Sequence, residues 1–170
     1  MVWQTGVTCR SLRVESQDAL GRLRPAGDPW SFTDMADRFA ITSLHAGRQL
    51  EFLGSIPRGL TGYDGCTYKV TLVGPDVGAT VEVYDIQPQR WSELFRGLAK
   101  AWRGWSGERA HESLEGHLRL ACTADRTGHV TIRVKLRSMV LGDDWRVEAD
   151  LQVEAGQLDR LADAATDYFG

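Results

Sequence analysis

The spacing of apolar residues along the chain changes repeatedly between the period of a strand and the period of a helix. Apolar side chains alternate with polar ones over residues 39–83, which is typical of half-buried strands. They recur every three or four residues over 91–102, alternate again over 114–153, and close with a second helical stripe over 158–169. Strands and helices are therefore expected in separate stretches, and not as a repeating strand–helix–strand unit.

The predicted order of elements is four strands, a helix, three strands and a closing helix. Tight turns are expected at Ala46-Gly47, at Gly74-Pro75-Asp76 and at Arg126-Thr127-Gly128, and strands joined by such turns pair antiparallel. Each helix has one apolar stripe, so both helices can cover the same face of a sheet. The sequence thus predicts an α+β fold in which an antiparallel sheet of six or seven strands carries two helices on one face.

Two details of this prediction are specific enough to test. The Arg126–Gly128 turn sets a register that pairs Cys122 with Ile132 and Leu120 with Val134. The segment before it is predicted as one strand, whose core face is formed by Leu114, Leu118, Leu120 and Cys122 and whose other face is formed by His111, Glu115, His117 and Arg119.

The first helix is predicted by an apolar stripe with recognisable ends. Pro88 is placed for the first turn and Gly104 for the stop. The residues of the stripe are Trp91, Leu94, Phe95, Leu98 and Trp102.

A chain of 170 residues suffices for one core. Residues 1–36 are predicted to be an N-terminal extension, because Pro25-Ala-Gly-Asp-Pro29 is a loop signal and the alternation begins only afterwards. Residues 37–170 are predicted to form a single α+β domain.

The charge and the cysteine content exclude several classes of protein. The formal net charge of −3 argues against a partner that is a nucleic acid or an anionic membrane. Cys9, Cys66 and Cys122 are odd in number and widely spaced, which favours reduced thiols. There is no apolar run of about 20 residues and no signal-peptide pattern, so a cytoplasmic location is expected. Arg makes up 17 of the 20 basic residues and Asn is absent, which indicates a bacterial source with a GC-rich genome.

Catalytic motifs are approached but not completed. His111-Glu112 resembles the start of a zinc-protease helix, but Glu115 stands where the second His is required. Gly104-Trp-Ser-Gly-Glu108 resembles a nucleophile elbow, but Glu108 replaces its second glycine. The sequence therefore predicts no catalytic residue, no metal and no cofactor.

One alternative stays open. A continuous strand would place His111, Glu115 and His117 in one row, which is a possible zinc-ligand set, and the glycine-containing loop at 57–65 is long enough to contact a ligand. A small-ligand-binding, metal-binding or enzymatic domain would use this loop with His111 and His117. A homo-oligomer formed through a sheet edge or the Trp-containing helix is a further alternative.

A protein partner is the prediction that best fits the polar sheet face. Parity places basic and acidic side chains together on that face, and mixed charges of this kind give specificity to protein interfaces. Trp105 lies beyond the helical stripe, so an exposed indole there would be a binding hot spot. The predicted partner-binding residues are Trp105, Glu108, Glu115, His117, Arg133 and Arg137.

Four segments resemble the signature of an uncharacterised family from high-GC, actinobacterial-type bacteria: Trp102-Arg-Gly-Trp105-Ser-Gly-Glu108, Ser113-Leu-Glu115, Gly128-His-Val130 and Leu158-Asp-Arg-Leu161. The second half of the chain is also distantly similar to immunity proteins that are paired with wall-associated polymorphic toxins. The shared frame is a helix, a strand that ends in Glu-Gly, the Gly-His-Val hairpin and a Leu-rich closing helix. This resemblance implies a non-enzymatic protein that neutralises a toxin by covering its active site.

Overall fold

The computed structural model of the chain describes residues 37–58, 64–140 and 143–170. The predicted extension at 1–36 lies outside these residues, and so does most of the loop at 57–65. The boundary between extension and domain therefore stays a prediction. Neither helix in the described part of the chain has the length and apolar character that crossing a bilayer requires.

The described residues form eight strands and two α-helices, and the predicted α+β class is confirmed. The first half contains β1 (Arg38–Thr42), β2 (Gln49–Leu53), β3 (Cys66–Gly74), β4 (Val77–Asp85) and α1 (Gln89–Lys100). The second half contains β5 (Arg109–Glu112), β6 (Leu118–Ala124), β7 (His129–Val140), β8 (Asp143–Glu154), a 3₁₀ turn (Ala155–Gln157) and α2 (Leu158–Phe169).

The strands form two antiparallel four-stranded sheets, so the prediction of one sheet with six or seven strands is wrong. The first sheet has the order β1-β2-β3-β4 and the second has the order β5-β6-β7-β8. Beyond the end of β1, the amide of Leu44 donates to the Gln152 carbonyl at 2.8 Å, and the amide of Gln152 donates to Ser43 Oγ at 3.0 Å. The alternation of apolar and polar residues predicts which side of each strand is buried. It does not distinguish one sheet from two, because the buried side of each strand is the same in both.

The register of the β6–β7 hairpin is confirmed. Cys122 lies opposite Ile132 and Leu120 lies opposite Val134. All four side chains are buried, because this register places the apolar side of β6 beside the apolar side of β7.

The strand that was predicted to run through residues 111–122 is interrupted by a turn. Gly116 has a φ of +72°, and its amide donates to the Ser113 carbonyl at 2.9 Å. The chain thereby reverses between β5 and β6, so Glu112 faces Arg119 across the hairpin. Leu114, which was expected on the core face, lies in this turn and is 58% exposed. His111, Glu115 and His117 therefore do not form a row.

Helix α1 begins at Gln89, with Pro88 as the capping residue just before the predicted first turn, and it ends at Lys100 before the apolar stripe is complete. Trp102 was expected on the buried face and is instead 52% exposed, with the Arg103 guanidinium 4.5 Å from the centre of its ring. Gly104 follows with a φ of +104°, which only glycine adopts readily. The turn residues after Lys100 thus carry Trp102 away from the core.

One core is filled from both sheets and both helices. Phe39 of β1 meets Phe95 of α1 and Phe169 of α2 edge to face, with ring centres 5.3 and 5.8 Å apart. Such aromatic pairs contribute about 0.5–1.5 kcal/mol beyond the area that they bury. The core therefore fixes the helices against the sheets and leaves the outward strand faces for other contacts.

Candidate functional site

A groove of about 450 Å³ opens between β4 and the end of the β7–β8 hairpin. The first sheet lines it with outward side chains of β3 and β4 and with the buried Val81. The β5–β6 turn adds two polar residues, and the hairpin supplies the opposite wall. The lining residues are Thr67, Thr80, Val81, Glu82, Tyr84, Glu115, His117, Arg137, Ser138, Met139, Val140 and Trp145.

The groove carries apolar side chains that the core does not cover. Tyr84, Met139 and Val140 are 38%, 40% and 64% exposed. Trp145 is half-buried and packs against the core. Apolar side chains gathered in a concavity and surrounded by polar groups are typical of a protein-binding surface.

The polar side of the groove is built on a turn that β7 holds in place. The amide of Arg137 donates to the His117 carbonyl at 2.9 Å, which ties the β5–β6 turn to β7. The Nδ1 atom of His117 is buried and has no hydrogen-bond partner among the described residues. Its closest charged neighbour is the Glu115 carboxylate at 3.6 Å, which is longer than a hydrogen bond. The β5–β6 turn is thus held so that Glu115 and His117 line the groove together with Arg137.

The outward face of the second sheet carries the mixture of charges that the sequence predicts. Arg133 Nε lies 3.0 Å from Asp150 Oδ1, and Lys135 Nζ lies 3.3 Å from Glu148 Oε1. The hydrogen bond to Asp150 raises the pKa of Arg133 above its ordinary value. These pairs lie in direct cross-strand register, so they satisfy one another and stabilise a solvated sheet.

The structure brings together three of the six predicted partner-binding residues. Glu115, His117 and Arg137 line the groove, whereas Arg133 is paired with Asp150 farther along β7. Glu108 lies 2.9 Å from the Arg119 guanidinium and does not line the groove.

Trp105, the predicted hot spot, is half-buried and packs against the core. Its Nε1–H donates to the Cys122 carbonyl at 3.3 Å, and the Arg109 guanidinium lies 5.2 Å from the centre of its ring. These contacts attach the loop after α1 to the second sheet, so they give Trp105 a structural role.

A second polar cluster lies in the core at the start of α1. The buried Asp85 carboxylate accepts from Trp91 Nε1–H at 3.1 Å, from the Tyr68 hydroxyl at 3.3 Å and from the Gln87 amide at 3.0 Å. Trp91 Nε1–H also donates to the Tyr68 oxygen at 2.8 Å. Burial, followed by the charge of Asp85, raises the pKa of the nearby Cys66 thiol to about 11. The thiol is therefore neutral at pH 7, and the cluster fixes the start of α1 instead of supplying a nucleophile.

The two histidines of the ligand-binding alternative lie in different surroundings. His111 meets the Trp91 ring edge to face, with ring centres 4.4 Å apart, and burial lowers its pKa. His117 lines the groove. Within residues 37–58, 64–140 and 143–170, no three His, Cys, Asp or Glu side chains are close enough to hold a metal ion together. Residues 59–63 of the proposed contact loop lie outside the described part of the chain.

The apolar residues of the groove were not predicted as binding residues from the sequence. Tyr84 has the parity of an outward position, because Val81 and Val83 point inward from the same strand. Met139 and Val140 are consecutive apolar residues at the end of an alternating strand. An aromatic residue at an outward position and a break in alternation are the signals that would have indicated them.

Comparison with known proteins gives one match. The family described as "Family of unknown function (DUF6228)" matches residues 41–170, which include every residue that lines the groove. No curated protein matches the chain, and no solved structure matches it.

Proposed function

We propose that this chain, which belongs to the DUF6228 family, is a non-enzymatic protein-binding module whose recognition surface is the groove between β4 and the β7–β8 hairpin. The observation that carries the proposal is the concave juxtaposition of exposed apolar side chains with charged ones. Tyr84, Met139 and Val140 supply the apolar contacts, and Glu115 and Arg137 supply the charges. An apolar centre with a polar rim is the usual composition of a specific protein interface.

Within this proposal the partner is a bacterial toxin, and the chain is its immunity protein in the cytoplasm of a high-GC bacterium. The support is the resemblance of the Gly128-His-Val130 hairpin and the Leu-rich closing helix in the second half to the corresponding segments of immunity proteins of wall-associated polymorphic toxins. Binding over the catalytic cleft of a toxin excludes its substrate, so the immunity protein needs no chemistry of its own.

Co-expression of the chain with the product of each adjacent gene, followed by affinity purification, tests the proposal. The expected result is a stable one-to-one complex with one neighbour and loss of that neighbour's toxicity. Val140→Glu places a charge in the groove and should abolish the complex. Val73→Glu is the matched control, because Val73 is 47% exposed on β3 and does not line the groove.

Two results would count against the proposal. If Val140→Glu and Val73→Glu both leave a complex intact, the binding surface lies elsewhere on the molecule. If no neighbour binds and light scattering shows a stable dimer of the chain that Val140→Glu dissociates, the groove is an interface between copies, and the homo-oligomer alternative replaces the immunity function.

A further inference from the structure

Outward side chains of β7 and β8 form a series of cross-strand pairs. Away from the groove the charged pairs join opposite charges, and at the groove one pair joins like charges. Two successive pairs join opposite charges, namely Arg133 with Asp150 and Lys135 with Glu148. The next outward pair joins two cations, Arg137 and Arg146. Because like charges directly opposite one another destabilise a sheet, the stability of the hairpin does not explain an Arg at position 137.

The guanidinium of Arg137 is unmatched within the described part of the chain, where no hydrogen bond or ion pair involves it. Arg146 differs, because its Nε lies 3.7 Å from the Glu148 carboxylate. A cation that lines a groove and has no internal counterion is available to an external anion.

Each of the two carboxylates of the groove has a Lys or His residue near it. Glu82 lies opposite Lys69 in the β3–β4 register, and Glu115 lies 3.6 Å from His117 Nδ1. Arg137 is therefore the charge of the groove that most needs a partner, and the complementary ligand is a carboxylate.

The edge of β4 beside this charge is suited to pairing with another strand. β4 pairs with β3 over nine consecutive residue pairs, from Val77 to Asp85. Among the described residues it has no hydrogen-bonded strand on its other side, although β7 lies close to it. The strand contains no Lys or Pro, which are the residues that most commonly protect an edge from pairing, and Glu82 is its one outward charge.

We propose that the groove binds an extended acidic segment of the partner protein, which adds to the edge of β4 as a fifth strand and places a carboxylate against Arg137. This inference rests on the proposed function and specifies the chemical character of the segment that the partner contributes. Backbone hydrogen bonds to β4 supply sequence-independent affinity, as in other cases of strand addition. The bidentate geometry of Arg137 with a carboxylate supplies the specificity, and apolar residues of the segment cover Tyr84 and Val140.

Selection from a display library of short random peptides on the full-length chain tests the proposal. We expect the recovered peptides to be enriched in Asp or Glu next to apolar residues. A synthetic copy of one such peptide should slow hydrogen exchange of amides along β4. Arg137→Glu should weaken its binding at least about tenfold, and replacing the acidic residue of the peptide with Arg should restore binding to that variant.

The control for charge is Arg126→Glu, because Arg126 is exposed in the turn at the opposite end of β7. It makes the same change in net charge and should leave peptide binding unchanged. Folding is checked by the melting temperature of Arg137→Glu, which should be equal to or higher than that of the wild type, because the new carboxylate faces Arg146.

The outcomes separate this inference from the proposed function. If the peptides lose affinity for the Val140→Glu variant but not for the Arg137→Glu variant, the claim that the segment is acidic is refuted, and the groove remains a protein-binding surface. The same conclusion follows if the selected peptides carry no acidic residue. A peptide that binds without protecting β4 amides would overturn strand addition. If no peptide binding depends on Val140 or on Arg137, both the inference and the assignment of the groove are refuted.

Discussion

Replacing Trp91 with Phe should destabilise the fold by about 3 kcal/mol. Trp91 is fully buried, and its Nε1–H donates to the Tyr68 oxygen at 2.8 Å and to the Asp85 carboxylate at 3.1 Å. Loss of a hydrogen bond to a charged group costs about 1.5–3 kcal/mol. The smaller ring also loses about 1 kcal/mol of packing, on the scale of about 0.8 kcal/mol per buried methylene group.

Urea denaturation followed by far-ultraviolet circular dichroism measures this loss without depending on tryptophan fluorescence. With a denaturant dependence of about 2 kcal/mol/M, the midpoint should fall by about 1.5 M. The matched control is Trp102→Phe, because Trp102 is 52% exposed and its indole makes no hydrogen bond within the described residues.

The control should change the free energy of unfolding by no more than about 0.5 kcal/mol. If the two substitutions shift the midpoint equally, the buried cluster around Asp85 does not stabilise the fold as argued. A change in the slope of the transition, instead of its midpoint, would also contradict the reasoning, because it would indicate an altered unfolded state.

Two further predictions concern acid stability and the β5–β6 turn. Burial lowers the pKa of His111, so between the lowered pKa and about 6.5 the unfolded chain binds the proton more readily than the folded chain. The free energy of unfolding should therefore fall as the pH falls through that window. Urea midpoints measured across the window should depend less on pH in His111→Gln than in the wild type, and an equal dependence would refute the assignment. Gly116→Ala should cost about 1–2 kcal/mol because φ is +72°, whereas Gly78→Ala, with open space around the added carbon, should show no measurable loss in the same urea assay.

The groove gives a physical meaning to residues that core packing does not explain. Tyr84, Met139 and Val140 remain exposed although the core accommodates larger side chains elsewhere. Arg137 faces another cation across the hairpin. Each of these features is unfavourable or neutral for folding, and the proposed contact with a partner would account for each of them. Selection for binding, rather than for stability, is the interpretation that we propose for this end of the hairpin.

Part of the site could be predicted from sequence because parity along a strand is a local property. The pattern of β7 places Arg137 on the polar face. Glu115 and His117 were also expected on a polar strand face, but they reach the groove from the β5–β6 turn and not from a strand. The apolar half of the groove could not be predicted in this way. Tyr84 belongs to the first sheet and Val140 to the second, and only the packing of the sheets brings them to one concavity.

The sequence by itself determined three of the hairpin turns, which side of most strands is buried, and the register of Cys122 with Ile132, but not the turn between β5 and β6. These features depend on side chains that are neighbours along the chain or across a tight turn, so a short segment contains the information. The tertiary structure decided that the strands divide into two sheets, and that Trp102 and Leu114 are exposed. The division into two sheets depends on the free energy of packing elements that are distant in sequence, and the alternation of residues is the same for every such arrangement. The exposure of Trp102 and Leu114 follows from the end of α1 at Lys100 and from the turn at Gly116, which the apolar pattern does not reveal.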